Sequence, residues 1–169
     1  MLGRLLGRGL HTETSPGSPK GSVFVRHLDG GSSNAFELEL TALTNPVYDL
    51  AQYGIQFVAS PRHADVLLIT GPLTRNMLAP TQQAFAVMPD PKSIVTVGDF
   101  ADFGNRHAQT DQIESEIARL FSDSYATVEL PEEMRRAIVA HVPGDPPEPR
   151  QIIEALLSVA TSPRRRVFP

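Results

Sequence analysis

The stretch DVLLITG, residues 65–71, constrains the fold of this chain more than any other segment. Every residue from Val66 to Ile69 is apolar, so no side chain in that run is suited to face solvent. Strands of this kind are buried on both faces, and they occur in parallel sheets that helices cover on both sides. The stretch therefore predicts a central strand of an α/β domain.

The same alternation of strand and helix patterns extends along most of the chain. Strand-like segments other than 65–71 lie at 23–28, 55–60, 93–99 and 137–142, and helical patterns begin near Ala35 and cover 44–54, 74–88, 111–121 and 149–160. The stretch PEEMRRAIVA, which overlaps the last strand-like segment, also fits a helix. Strands that alternate with helices predict a parallel sheet. We therefore expect one three-layer α/β domain with a mostly parallel, four-stranded sheet flanked by helices, as in flavodoxin-like folds.

Composition limits the kind of function. The 169 residues suit a single domain with a real core, and the formal net charge of −4 argues against binding nucleic acid. The sequence contains no cysteine, which excludes a disulfide framework, a thiolate nucleophile and a cysteine-ligated metal cluster. No apolar run approaches the roughly 20 residues that cross a bilayer.

Both ends of the chain differ in character from the middle. We divide the sequence into an amphipathic segment with a flexible linker (1–22), the α/β domain (23–160) and a basic tail (161–169). On a helix, the segment MLGRLLGRGL places its leucines on one side and Arg4 and Arg8 on the other. It is therefore a membrane-surface helix, a groove-binding helix, or a frayed end whose glycines weaken any helix.

Three loops follow predicted strands and should meet at one edge of the sheet. They are LDGGSSNAFE after residue 28, GDFADFGN after residue 97 and PGDPPEP after residue 142. Binding sites of parallel sheets lie beyond the carboxyl ends of the strands. Any site of this protein is therefore expected among these three loops.

Several long stretches carry a family resemblance. YDLAQYGIQFVASPRHADVLLITGPLTRNM (48–77), MPDPKSIVTVGDF (88–100) and VPGDPPEP (142–149) resemble the small, electron-transferring subunit shared by respiratory complex I and membrane-bound group 4 nickel–iron hydrogenases. In complex I this is the 20 kDa subunit. The resemblance extends over about residues 23–159, and residues 104–136 match poorly.

The resemblance implies a cluster site whose ligands have been replaced. In the family, the three loops supply four cysteines to a [4Fe–4S] cluster, and the matching positions here are Ser33, Phe36, Phe100 and Asp145. We therefore expect no cofactor. Phe36 and Phe100 are expected to fill the former cluster volume with their rings within about 7 Å of each other. Ser33 and Asp145 are expected to cap the backbone N–H groups that face the cluster in the family.

Acidic residues near the same edge allow two interpretations. Glu37 matches an acidic residue beside the family's cluster, and it either faces a proton or quinone path between subunits or has no such role. For Asp29, Asp99 and Asp102 we expect the simpler role of capping turns or helix ends.

From the resemblance we expect a cluster-free structural subunit with no catalytic or electron-transfer activity of its own. It would link a hydrogenase-like or complex I 49 kDa-like large subunit to a membrane-arm subunit, with a ferredoxin-like subunit as a further partner. Its location would be peripheral, on the cytoplasmic side of the membrane, as in bacterial members. Three alternatives stay open: an assembly whose redox route bypasses this chain, a metal or small anion held by Ser33, Asp99 and Asp145, and a regulatory protein that acts alone.

Overall fold

A computed structural model describes residues 22–99 and 127–161. Its strands are β1 (Val23–Asp29), β2 (Ile55–Phe57), β3 (Val66–Thr70), β4 (Ser93–Val97) and β5 (Ile138–Val142), and its helices are α1 (Asn34–Ala42), α2 (Arg75–Val87), α3 (Glu132–Arg136) and α4 (Pro149–Thr161). Short 3₁₀ turns occur at Leu50–Tyr53 and Pro61–His63. Phe100, Asp102, the predicted helix at 111–121, the amino-terminal segment and the basic tail lie outside the described residues.

All strands of the described sheet are parallel, in the order β2-β1-β3-β4-β5. The predicted α/β class and the flavodoxin-like arrangement are confirmed, because this strand order is the one that defines that group. The sheet has five strands rather than the expected four, since β1 pairs with both β2 and β3.

Two apolar layers cover the sheet. One layer packs α1 and α4 on β1, β3 and β4, with Phe36, Leu40 and Leu156 among its buried residues. The other packs α2 and α3 on the opposite face, around Phe85 and Met134. Every residue of β3 is buried, as its apolar run predicts. No helix in the two described ranges is long and apolar enough to span a membrane.

The prediction of a helix at 44–54 is wrong, although the residues that predicted its two ends, Asn45 and Gly54, do cap turns in the structure. The Asn45 side chain accepts hydrogen bonds from the Val47 and Tyr48 N–H groups at 2.8 and 3.0 Å. Asp49 then adopts a left-handed conformation with φ of 38°, so only a 3₁₀ turn follows, and it ends at Gly54. Leu50 explains the break, because it is buried in the core and its N–H donates to the Leu43 carbonyl.

The ambiguous stretch PEEMRRAIVA divides between the two structures that its pattern allows. Its first part forms the short helix α3, and its second part begins the edge strand β5. Arg135 and Arg136 pair with Glu132 on the helix surface, at 2.7 and 3.0 Å. Each such exposed ion pair contributes at most about 1 kcal/mol to the free energy of unfolding.

Candidate functional site at the carboxyl edge of the sheet

The chain leaves β1 and β3 toward opposite faces of the sheet, which creates a crevice between their loops. Binding sites of this fold lie at such a point. The loop after β3, residues 71–74, therefore belongs to the site together with the three predicted loops. Gly30 N–H donates to the Thr70 carbonyl at 2.9 Å, and Thr74 N–H donates to the Gly30 carbonyl at 2.8 Å. These bonds join the loops that follow the two strands.

The approach of the two loops requires a glycine at position 71. Gly71 has φ of +67°, and a Cβ there would lie 2.6 to 2.8 Å from the backbone and Cβ of Ser32. A larger residue would push the loop after β1 away from the sheet. The sequence shows the glycine after this strand, but only the fold shows that it brings Ser32 into the crevice.

Phe36 joins the loop after β1 to the loop after β4. It is 2% exposed and belongs to the same apolar layer as Leu40 and α4. Its ring lies against Gly98, where φ is +114° and an added Cβ would be 2.9 Å from the Phe36 Cζ. Phe36 is therefore a core residue at the site edge, and its ring occupies the space between these two loops.

The loops after β4 and β5 also meet. Gly144 N–H donates to the Asp99 carboxylate at 2.6 Å, and Gly98 N–H donates to the Val142 carbonyl at 2.9 Å. The predicted convergence of the three loops is thus confirmed up to Asp99. Asp145, next to Gly144, is exposed. Partial desolvation, and then the charge of Asp99, raise the pKa of the Asp145 carboxyl.

The structure does not show Ser33 capping the helix that it precedes, and the capping role expected of Asp145 stays a prediction. The Ser33 side chain makes no capping hydrogen bond at α1. Asp29 and Asp99 take these roles instead, as expected for those two residues. Asp29 ends β1 and accepts from N–H groups of the turn that follows it. Asp99 lies two residues beyond β4 and accepts from the Gly144 N–H in the loop after β5.

Asp29 holds the loop after β1. Its Oδ1 accepts from Gly31 N–H at 2.8 Å and from Ser32 N–H at 2.7 Å, and Ser32 Oγ donates to the same oxygen at 2.9 Å. Partial burial alone would raise the pKa of Asp29, but these hydrogen bonds outweigh it and the pKa is lowered. The N–H groups of this loop are therefore already bonded to a carboxylate of the chain.

Glu37 belongs to a polar network that the sequence interpretation did not include. Ser32 Oγ contacts Glu37 Oε1 at 3.0 Å, Thr70 Oγ1 donates to Ser32 Oγ at 3.3 Å, and His27 Nε2 lies 2.9 Å from Thr70 Oγ1. Because Thr70 gives its single hydroxyl hydrogen to Ser32, His27 has to donate from Nε2. Polar residues near the carboxyl ends of the neighbouring strands β1 and β3 were the available signal for this network.

His27 is held in its neutral form. Burial lowers the pKa of His27 below the ordinary 6.5, with Arg26 acting in the same direction, although Glu37 and Asp29 raise it. The Glu37 Oε1 lies 4.0 Å from His27 Nε2. The network thus pairs a carboxylate with a histidine whose charged form is disfavoured at neutral pH.

We expect acidification to lower the free energy of unfolding because His27 gains a proton more readily in the unfolded chain. The unfolded chain binds a proton near pH 6.5 that the folded chain resists, so the free energy of unfolding should fall as pH is lowered from 7 through the folded-state pKa. Denaturation at a series of pH values should show this slope, and His27→Gln should reduce it. The exposed His63 provides the control. An equal reduction in His63→Gln would contradict the assignment to His27.

A cavity of about 690 Å³ opens beside the network, between α1 and α2. Its polar lining includes His27, Asp29 and Glu37, and its apolar lining includes Leu40, Phe57, Val58, Met77 and Ala84. Within residues 22–99 and 127–161, no three histidine, aspartate or glutamate side chains are placed to hold a metal ion.

Comparison of the chain with known proteins is consistent with the fold described above. Residues 34–159 match the family described as NADH ubiquinone oxidoreductase, 20 Kd subunit. The chain belongs to this family. It is 30% identical over 136 residues to the probable membrane-bound hydrogenase subunit mbhJ of Pyrococcus furiosus, which covers 80% of this chain and 72% of that protein. The resemblance inferred from the sequence is confirmed.

Further similarities support the same family and fold. Over 85 residues the chain is 41% identical to formate hydrogenlyase subunit 7 of Escherichia coli, which covers 50% of this chain and 33% of that subunit. A chain of the membrane-bound sulfane sulfur reductase, an archaeal respiratory membrane complex, superimposes with a TM-score of 0.61 at 20% identity, covering 86% of this chain and 72% of that one. The similarity to the sulfane sulfur reductase chain shows a shared fold.

The residues at the four positions that we predict to match the family's cluster ligands do not suit a [4Fe–4S] cluster. Such clusters are held by cysteine thiolates, and the four positions carry Ser33, Phe36, Phe100 and Asp145. A phenyl ring has no donor atom for iron. The Phe36 ring is also buried against Gly98 at the site edge, so it does not leave the position open for another ligand.

Proposed function

We propose that this chain is a cluster-free structural subunit of a membrane-associated assembly of the complex I or group 4 hydrogenase type. It links a large, catalytic-type subunit to the membrane arm and transfers no electrons itself. The observation that carries this proposal is Phe36, a buried core residue at a position that matches a cluster cysteine in the family. The chain also contains no cysteine that could replace the missing ligands.

The names of the relatives support the type of assembly. They describe subunits of a membrane-bound hydrogenase and of formate hydrogenlyase. By this similarity, the partners of the chain are a hydrogenase-like or 49 kDa-like large subunit, a membrane-arm subunit and a ferredoxin-like subunit. The location is peripheral, on the cytoplasmic side of the membrane. Solvent-exposed apolar side chains, including Leu38, Val47 and Val139, fit a protein with partner surfaces.

Glu37 is proposed to face a proton or quinone path of the assembly. Its carboxylate lies at the cavity and contacts Ser32, which connects it to Thr70 and His27. A chain of hydrogen-bonding groups that includes a carboxylate and a neutral histidine can hold and pass a proton. Glu37→Gln in the native assembly should lower its ion-linked turnover, whereas Glu39→Gln on the same helix should not. Equal turnover in both variants would remove this role from Glu37.

A small anion at the former cluster site has less support. The Gly31 and Ser32 N–H groups already donate to Asp29, and the Gly144 N–H donates to Asp99. An anion would have to displace these carboxylates and would also meet their negative charge. The observed bonds therefore favour a closed site over a ligand-binding one.

Isolation of the native assembly tests the structural role. A carboxyl-terminal affinity tag on the chain, followed by purification from detergent-solubilised membranes, should recover a large subunit of the hydrogenase or 49 kDa type together with a membrane-arm protein. Mass spectrometry identifies both. Recovery of the chain only from the soluble fraction, without either partner, would overturn the proposal and favour a protein that acts alone.

A further inference from the structure

The cavity between α1 and α2 lies where the sheet lacks a covering helix within the described residues. The crossover from β2 to β3 contains only the 3₁₀ turn Pro61–His63, whereas such parallel connections usually include a helix. Leu28 and Val58, which line the cavity, face the same layer as α2. This layer therefore has room for one more short helix beside α2.

The space is larger because β2 ends before β1 does. The pairing of β1 with β2 stops at Val25 and Phe57, but β1 continues along β3 as far as Asp29. The last residues of β1, after Val25, thus have a neighbouring strand on one side only, within the described residues. The space of about 690 Å³ has a volume equal to roughly twenty water molecules. Its walls are apolar enough to favour an apolar occupant over solvent.

We propose that this cavity binds the chain's own amino-terminal segment, residues 1–10, as an amphipathic helix. Met1, Leu2, Leu5, Leu6 and Leu10 share one side of such a helix. This apolar side matches the wall formed by Leu40, Phe57, Val58, Met77 and Ala84. Ten helical residues are about 15 Å long, which suits a gap between two helices of the same domain. The inference does not depend on the proposed structural role, but with the segment bound the path proposed for Glu37 is one for protons and not for quinone.

The linker is long enough for this contact. Residues 11–22 can extend over at most about 40 Å, whereas the distance along β1 from Val23 to the cavity is about 10–20 Å. A flexible connection of this length gives the segment a millimolar effective concentration at the cavity. Weak apolar contacts are then sufficient to keep it bound.

Charge also favours this occupant. The charged groups that line the cavity are the Asp29 and Glu37 carboxylates and the Arg26 guanidinium, while burial disfavours the charged form of His27 by lowering its pKa. Two negative groups against one positive group give the lining a net negative charge. The segment carries Arg4 and Arg8 and no acidic residue. Its cationic side can therefore lie near these carboxylates while the leucines contact the apolar part of the lining.

A spin label tests the contact, because the cysteine-free chain allows labelling at one chosen position. We suggest Gly7→Cys with a nitroxide in the full-length protein, observed by NMR. Signals of Thr41, Thr44 and Ala84, which line the cavity, should lose most of their intensity. Signals of Glu154, which is exposed on α4 and does not line the cavity, should keep theirs. Unchanged signals at the cavity would overturn the proposal.

Matched variants separate the apolar contact from mere proximity. Leu5→Ser with Leu6→Ser should restore the cavity signals, whereas Thr12→Ala with Thr14→Ala in the linker should leave them broadened. Broadening that persists in the serine variant would contradict the apolar contact. Broadening in a mixture of labelled and isotope-enriched chains would assign the cavity to a second copy. Contact of the segment only with phosphatidylglycerol vesicles, with no broadening in their absence, would favour the membrane-surface interpretation instead.

Discussion

The substitution Phe36→Ala is expected to lower the free energy of unfolding by about 3–5 kcal/mol, the usual cost of truncating a buried aromatic side chain. The side chain is 2% exposed, and its ring lies against Gly98 at a distance that leaves no room for an added Cβ. Truncation would therefore leave a void at the junction between α1, α4 and the loop after β4. Chemical denaturation of the two proteins at the same pH measures the difference.

Leu38→Ala provides the matched control on the same helix. Leu38 is 63% exposed, so its truncation should change the free energy of unfolding by no more than about 0.5 kcal/mol. If Phe36→Ala cost no more than the Leu38 variant, Phe36 would not hold the loops together. The former cluster position would then be a surface feature, and the main support for a cluster-free structural subunit would be lost.

The second large effect that we expect is on the uptake of an iron–sulfur cluster. Anaerobic reconstitution of the native chain should yield no [4Fe–4S] cluster, because none of the four matched positions supplies a thiolate. The variant that combines Ser33→Cys, Phe36→Cys, Phe100→Cys and Asp145→Cys should take up a full cluster per chain. Iron and sulfide analysis measures uptake, and a low-temperature paramagnetic signal after reduction identifies the cluster.

A triple variant that retains Phe36 is the control for this experiment. It should bind much less cluster, since its buried ring keeps one ligand position without a donor. Uptake by the native chain would overturn the proposal that the protein lacks a cluster. Failure of a quadruple variant that is shown to be folded would instead contradict the assignment of the four positions.

These two experiments address different parts of the proposed function. The stability measurement tests whether Phe36 now serves the core, and the reconstitution tests whether the loops keep the geometry of a ligand cage. The bond between Asp99 and Gly144 and the packing of Phe36 on Gly98 place three loops in contact. A rebuilt ligand set therefore has a scaffold on which to converge.

The sequence alone determined the class of fold and the edge that carries the site. The apolar run at 65–71 predicted a buried strand, and the residues of β3 are all buried because helices cover both faces of the sheet. The three loops were predicted to meet because the carboxyl ends of parallel strands share one edge. The family followed from long matching stretches, which do not depend on the four predicted ligand positions.

Only the tertiary structure decided how individual residues act within that frame. Asn45 and Gly54 mark the ends of a helix in the sequence, but burial of Leu50 and the left-handed Asp49 replace it with turns. Local signals cannot predict this outcome, because the core contact that decides it is distant in the sequence.

The same holds for the polar groups of the site. Ser33 and Asp145 were the residues predicted to cap loop N–H groups, yet the bonds seen are those of Asp29 at the end of β1 and of Asp99, which reaches across to the loop after β5. His27, Ser32 and Thr70 join Glu37 only because β1 and β3 are adjacent, with Gly71 allowing the close approach. Residue types and spacing determined where this protein's site lies, and contacts between distant segments decided which side chains form it.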